Sequence, residues 1–215
     1  MTYMTDWGTL FKTGLALFAI VNPIGSVPIF ITATDGSSKA ERARIVRLIA
    51  LTVFLVLTVS VLLGDRVLEF FGISIPSFQA GGGILLLLMA ISMMHAKQSG
   101  FRQTAEEAQV AAEREATAIV PLSIPLLAGP GAISSMIIAA QQSGGLWGHL
   151  LLLAPVTAVA LLVWGILRLS APIANLLGTI GINIFTRLMG LILAAMAVEF
   201  IAHGLLGLFP ALSNG

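Results

Sequence analysis

The stretch VNPIGSVPIF, Val21 to Phe30, sets two prolines, a glycine and an asparagine inside a long apolar run. Each proline removes a backbone donor, and its ring expels a carbonyl from the helical ladder. What that costs depends on the surroundings. Of 215 residues 57% are hydrophobic and only 10% charged, with a mean hydropathy of +1.00, whereas a soluble domain carries about one quarter charged residues. The chain therefore reads as an all-α polytopic membrane protein. Freed backbone groups at Asn22 to Pro28 cannot be left facing lipid, where each costs several kcal/mol. They must face protein, water or a ligand.

Apolar runs of about 20 residues, long enough to cross hydrocarbon, recur at Leu10 to Ala33, Ile45 to Gly64, Phe78 to His95, Ala118 to Ala140, Trp147 to Leu167 and Ile184 to Leu206. This predicts about six spans. The opening MTYMTDWGTL has no basic region of the kind that precedes a signal peptide, so the first span is expected to stay in the mature protein. Lys39, Arg42, Arg44 and Arg47 follow the first span, Lys97, Arg102 and Arg114 the third, and Arg168 and Arg187 flank the last connection. The opposite loops carry little but Arg66. Retention of basic residues on the cytoplasmic side predicts both termini outside and the basic loops inside.

Local punctuation agrees with these boundaries. An Asp35-Gly36 turn precedes Ser38, and Glu41 stands at capping-box spacing, which predicts a helix that starts in water and enters the bilayer near Ile45. Residues 97–117 are polar and read as a cytoplasmic linker, with Thr104 and Glu107 offering a second cap.

The linker divides two similar halves, 1–96 and 118–215. Phe71 to Met94 aligns with Ile180 to Ile201 so that Gly72 falls over Gly181, Ile73 over Ile182, Ile75 over Ile184, Ser77 over Thr186 and Gly81 over Gly190. At nearly the same offset Pro23 falls over Pro130, pairing VNPIGSVPIF with AGPGAISSM. Three spans is an odd number, so the second copy must enter from the opposite face. Two inverted three-helix repeats with broken first and fourth helices are predicted. Asn22, Pro23, Gly25, Ser26 and Pro28 mark one break, and Pro121, Pro125, Gly129, Pro130 and Gly131, followed by Ser134 and Ser135, mark the other. If they meet, half-helix N-termini suit a carboxylate and free carbonyls suit a cation or ammonium group. The plainer alternative is that these prolines and glycines only kink their helices.

The blocks LFAIVNPIGSVPIF, GISIPSFQAGGGILLLLMAISM, PLSIPLLAGPGAISSMI and INIFTRLMGLILAAMAVEFI resemble, in order, those of the MarC family of bacterial inner-membrane proteins, over nearly the whole chain. The resemblance implies six spans in two inverted repeats, a relationship to small-solute exporters of the lysine-exporter type, and neutral amino-acid transport in some members.

A secondary transporter of a small polar solute, best a neutral amino acid, is therefore expected, with one repeat rocking against the other. Its partners would be the lipid bilayer and a small-molecule substrate; nucleic acid is not expected, and oligomerisation is left open. A channel or efflux protein for another small solute is the nearest alternative. No ring of like charges or repeated filter favours a channel, and no nucleophile with a base favours an intramembrane enzyme. No cofactor or metal is expected, because there are no cysteines and His95, His149 and His203 are dispersed. Gly81, Gly82 and Gly83 suggest close helix contact, and Asp65, Arg66 and Glu69 a solvated external cluster. Glu199, with His203 one turn on, is the clearest acid within an apolar run. Facing a cavity, the pair could couple transport to H⁺, with Na⁺ the other candidate ion; the competing view is that Glu199 lies near the interface, partly hydrated and structurally paired.

Overall fold

The computed structural model describes residues 7–95 and 127–213. The linker, Pro121 and Pro125, and the first half of the fourth run lie outside the described residues. Within them the chain forms seven α-helices and a short 3-10 turn, with no strand. They are α1 (Trp7–Val21), α2 (Val27–Ala33), α3 (Lys39–Phe70), α4 (Ile75–Met94), α5 (Pro130–Ser143), α6 (Gly145–Arg168) and α7 (Ser170–Leu208). Four of these, α3, α4, α6 and α7, are long and apolar enough to cross a membrane.

α3 begins as the sequence predicts. The Ser38 hydroxyl accepts from the Glu41 amide at 3.2 Å, and the Glu41 carboxylate accepts from the Ser38 amide at 2.8 Å. These bonds hold the Glu41 carboxyl below the usual glutamate range. At 32 residues, α3 overruns the predicted Ile45 to Gly64 span at both ends. α7 differs more. It starts at Ser170, well before the predicted Ile184, and turns at Gly178, whose φ of 60° and ψ of 179° suit glycine alone.

The core joins the two halves. α1 packs on α6 and α5 on α3, α3 also packs on α6, and α4 crosses both α5 and α7. Close approaches set these crossings: Gly14 lies against Pro155, and Gly64 against Ile137. α4 and α7 run antiparallel with backbones nearly touching. A Cβ at Gly83 would stand 2.9 Å from the Ala197 carbonyl oxygen, one at Gly204 would stand 2.6 Å from the Ala80 amide, and one at Gly190 would stand 3.2 Å from the Ala90 carbonyl oxygen. Gly190, Ala197 and Gly204 recur every seven residues, as do Pro76, Gly83 and Ala90. In lipid, where apolar burial drives little, such small residues let van der Waals contact hold two helices together. Gly82 and Gly83 thus serve close helix contact, whereas nothing stands within 4 Å of a Cβ at Gly81.

Candidate functional site

The first break lies where the sequence puts it. α1 makes its last bond from the Asn22 amide to the Phe18 carbonyl, 2.9 Å. Asn22 then turns to φ 45°, the only positive φ at a non-glycine among the described residues; asparagine tolerates this left-handed region better than most residues. Pro23 has no amide to continue the ladder. The freed groups are satisfied within the turn: the Asn22 side-chain oxygen accepts from the Gly25 amide at 3.3 Å, the Ser26 hydroxyl donates to the Asn22 carbonyl at 3.2 Å, and the Val27 amide donates to the Ile24 carbonyl at 3.1 Å. α2 then starts at Val27 with Pro28 in its first turn.

The second break is described from its downstream side. Gly129 caps α5, Pro130 occupies the first helical position, and the Ala132 and Ile133 amides both donate to the Gly129 carbonyl, at 3.0 and 3.1 Å. The Ser134 hydroxyl donates to the Gly131 carbonyl at 3.1 Å. The 15 residues of α1 and the 14 of α5 carry both breaks about 21–23 Å from the bundle face where α1 starts, at 1.5 Å per residue. There they meet. A Cβ at Gly131 would lie 3.6 Å from Ile20, one turn or less from Asn22.

Around this junction the structure collects uncharged polar side chains. Asn22, Ser26, Gln79, Ser134 and Ser135 are buried, and no charged side chain is buried among the described residues. The Asn22 side-chain nitrogen has no hydrogen-bond partner although it is buried. A Cβ at Gly25 would run into that nitrogen and would stand 2.8 Å from the Thr186 hydroxyl of α7. At Gly131 the added carbon would stand 2.8 Å from both Leu86 and Met89 of α4. The space over both glycines is filled in this conformation by protein atoms.

The sequence pattern does not single out Thr186 or Gln79 as a site residue; it presents Thr186 only as the repeat partner of Ser77. Gln79 lies one turn from Gly82, where a Cβ would stand 3.1 Å from Ser134, so spacing puts it on the α4 face turned to α5.

Glu199 and His203 lie elsewhere. Both are exposed on the outer surface of α7, with no hydrogen bond or ion pair between them. They point away from the breaks: α7 turns Leu193, Ala197 and Gly204 inward, and helical spacing then sends residues 199 and 203 outward. Asp65 is not merely solvated, since its carboxylate meets His149 of α6 at 3.8 Å, and the same imidazole nitrogen lies 3.2 Å from the Ala140 carbonyl. No group of acidic and histidine side chains able to hold a metal occurs among the described residues.

The pattern described as "MarC family integral membrane protein" matches residues 7–209. The chain belongs to the MarC family. Among MarC-type relatives, the chain is 40% identical over 209 residues to the UPF0056 membrane protein YhcE of Escherichia coli (strain K12), covering 97% of each. It is 36% identical to the UPF0056 membrane protein YvbG of Bacillus subtilis (strain 168), covering 93% of this chain and 95% of that one. It is 37% identical to the UPF0056 membrane protein PH0760 of Pyrococcus horikoshii, covering 90% of this chain and 92% of that one. No solved structure matches the chain. Membership in a family of integral membrane proteins agrees with the apolar helices described above.

Proposed function

We propose that this MarC-family protein is a secondary transporter of a small, net-neutral polar solute, best a neutral amino acid, bound at the junction of the two breaks. The observation that carries the proposal is the buried Asn22 amide nitrogen, unpartnered where α1, α5 and α7 converge. A buried donor without an acceptor costs about 1–3 kcal/mol, a cost that a solute carbonyl or carboxylate would relieve. The uncharged surroundings favour a solute whose own charges cancel, because an isolated ion would find no counter-charge there. Asn22, Pro23, Gly25, Ser26, Gly129, Pro130, Gly131, Ser134 and Ser135, joined by Thr186 and Gln79, form the proposed site.

A further observation supports inverted repeats in 1–96 and 118–215. Arg42, near the start of α3, donates to the Thr34 carbonyl at the end of α2 at 3.1 Å, and His149, near the start of α6, meets the Ala140 carbonyl of α5 at 3.2 Å. The two pairs fall at nearly the offset of Pro23 and Pro130. Rocking of one whole repeat would tear the α4–α7 contact, which crosses the repeats. The movement that suits this packing is of the α4–α7 pair against α1, α3, α5 and α6, opening the junction at Gly25–Thr186 and Gly82–Ser134. In this reading the protein sits in the bacterial inner membrane with both termini periplasmic, uses an H⁺ or Na⁺ gradient, and performs no covalent chemistry.

Uptake of a labelled neutral amino-acid panel into proteoliposomes, under imposed Na⁺ and H⁺ gradients, tests the proposal. Saturable, gradient-dependent uptake is expected. Unsaturable flux would make it a channel, and no flux with no thermal shift on any amino acid would end the reading.

A further inference from the structure

α7 is the least covered of the long helices: 17% of its most apolar stretch is buried, against 39% for α3, α4 and α6. Its exposed side is not purely apolar. Glu199 and His203 stand on it one turn apart, flanked by Ala195 and Ala202, which are exposed too.

The depth of this acid follows from the α4–α7 register. A Cβ at Gly83 would touch Ala197 and Ile201, so Glu199, between them, lies level with Gly83. Gly83 stands eight residues after Ile75, the first residue of α4, or about 12 Å along a helix. α4, with 20 residues, spans about 30 Å, the thickness of the hydrocarbon itself. Glu199 therefore points off the bundle at a depth where lipid offers no hydrogen-bond partner. Ionisable groups in that position are costly and are generally paired.

We propose that this face of α7 binds the same face of a second copy of the chain, forming a two-fold dimer in the membrane. The two surfaces are chemically self-complementary. A two-fold axis along the membrane normal sets α7 beside α7 of the other copy at equal depth, so the acid of each stands one turn in depth from the imidazole of the other and reaches it diagonally across the interface, twice. The pair is satisfied in either protonation arrangement. A carboxylate accepts from an imidazolium N–H, and a neutral carboxyl donates to a neutral imidazole, so one donor always meets one acceptor. Ala195 and Ala202, seven residues apart around Glu199, keep the surface low enough for two backbones to approach, as close helix pairs in membranes require. A like-for-like interface closes at two copies and leaves no open end. The proposal is independent of the transport reading, because none of these residues touches the breaks.

The absence of cysteine gives a clean test in the full-length protein. Ala195→Cys and Ala202→Cys, introduced singly and oxidised in membranes, are expected to form covalent dimers. Leu55→Cys, also exposed but on α3, is expected to remain monomeric. In proteoliposomes, fluorescence transfer between labelled copies should persist on dilution with lipid. Glu199→Leu should shift the dilution midpoint by at least tenfold while leaving the thermal transition intact, since it exposes one more apolar residue to lipid. Glu199→His alone should weaken the dimer, and adding His203→Glu should restore it, because the exchange rebuilds both cross-pairs. Cross-linking at Ala195 and Ala202 no stronger than at Leu55 would overturn the proposal, as would a dimer indifferent to Glu199→Leu or an exchange variant that fails to recover.

Discussion

Gly25→Ala is the smallest change that reaches the centre of the site. The new methyl would collide with the Asn22 amide and stand 2.9 Å from its Cγ and 2.8 Å from the Thr186 hydroxyl. Asn22 cannot swing away freely, because its side-chain oxygen holds the Gly25 amide at 3.3 Å and its backbone is fixed at φ 45°. Overpacking of this kind costs about 1–3 kcal/mol, and loss of the Asn22–Gly25 bond adds about 0.5–1.5 kcal/mol. At roughly 2–4 °C per kcal/mol for a chain of this size, the melting temperature in detergent should fall by roughly 3–18 °C. Gly81→Ala supplies the internal control. It sits in α4 with nothing within 4 Å of the added carbon, so it should stabilise the protein by up to about 1 kcal/mol through helix propensity. Thermal unfolding of both variants, with amino-acid uptake on the same preparations, is the assay. A Gly25→Ala variant as stable and as active as Gly81→Ala would refute the packing described around Asn22.

Asn22→Ala and Ser134→Ala remove polar atoms without adding volume; both should abolish uptake in proteoliposomes while leaving a folded, monodisperse protein in detergent. Gly204→Leu drives a side chain into the Ala80 amide and the Pro76 carbonyl, and should prevent α4 and α7 from pairing, seen as loss of the folded species on size exclusion. Glu41 is held ionised by the Ser38 side chain and then by the Ser38 amide. A lowered folded value means that this stability is present above the unfolded pKa and lost as pH falls through the folded one. Amide protection in the first turn of α3, measured relative to the intrinsic exchange rate at each pH, should therefore fall on acidification in the wild type, and should be low already at neutral pH in Ser38→Ala.

The parts of this fold that were legible in sequence are those written locally. Asn22-Pro23 and Gly129-Pro130 announce helix boundaries because proline and a left-handed asparagine leave the backbone few choices, and Ser38 with Glu41 fixes a helix start within four residues. Relations across the bundle were not legible. α7 is apolar nearly all round, so periodicity does not reveal which face is buried, and Glu199 could be given a depth but no direction. Thr186 gained meaning only when α7 packed beside Gly25, and Asp65 only when α6 brought His149 to it. Gly178 lies between the predicted fifth and sixth spans, and here it turns one long helical segment.

The central claim is that the two breaks form the path of a neutral solute, and counterflow measures this most directly. Proteoliposomes preloaded with one unlabelled amino acid would be diluted into a trace of the same labelled compound, for wild type, Asn22→Ala and Ser134→Ala, with no ion gradient imposed. The account predicts a transient overshoot of label for at least one neutral amino acid in the wild type, absent in both variants and absent for acidic and basic amino acids. An overshoot that survives in both variants would place the path elsewhere, and no overshoot for any neutral amino acid would contradict the claim.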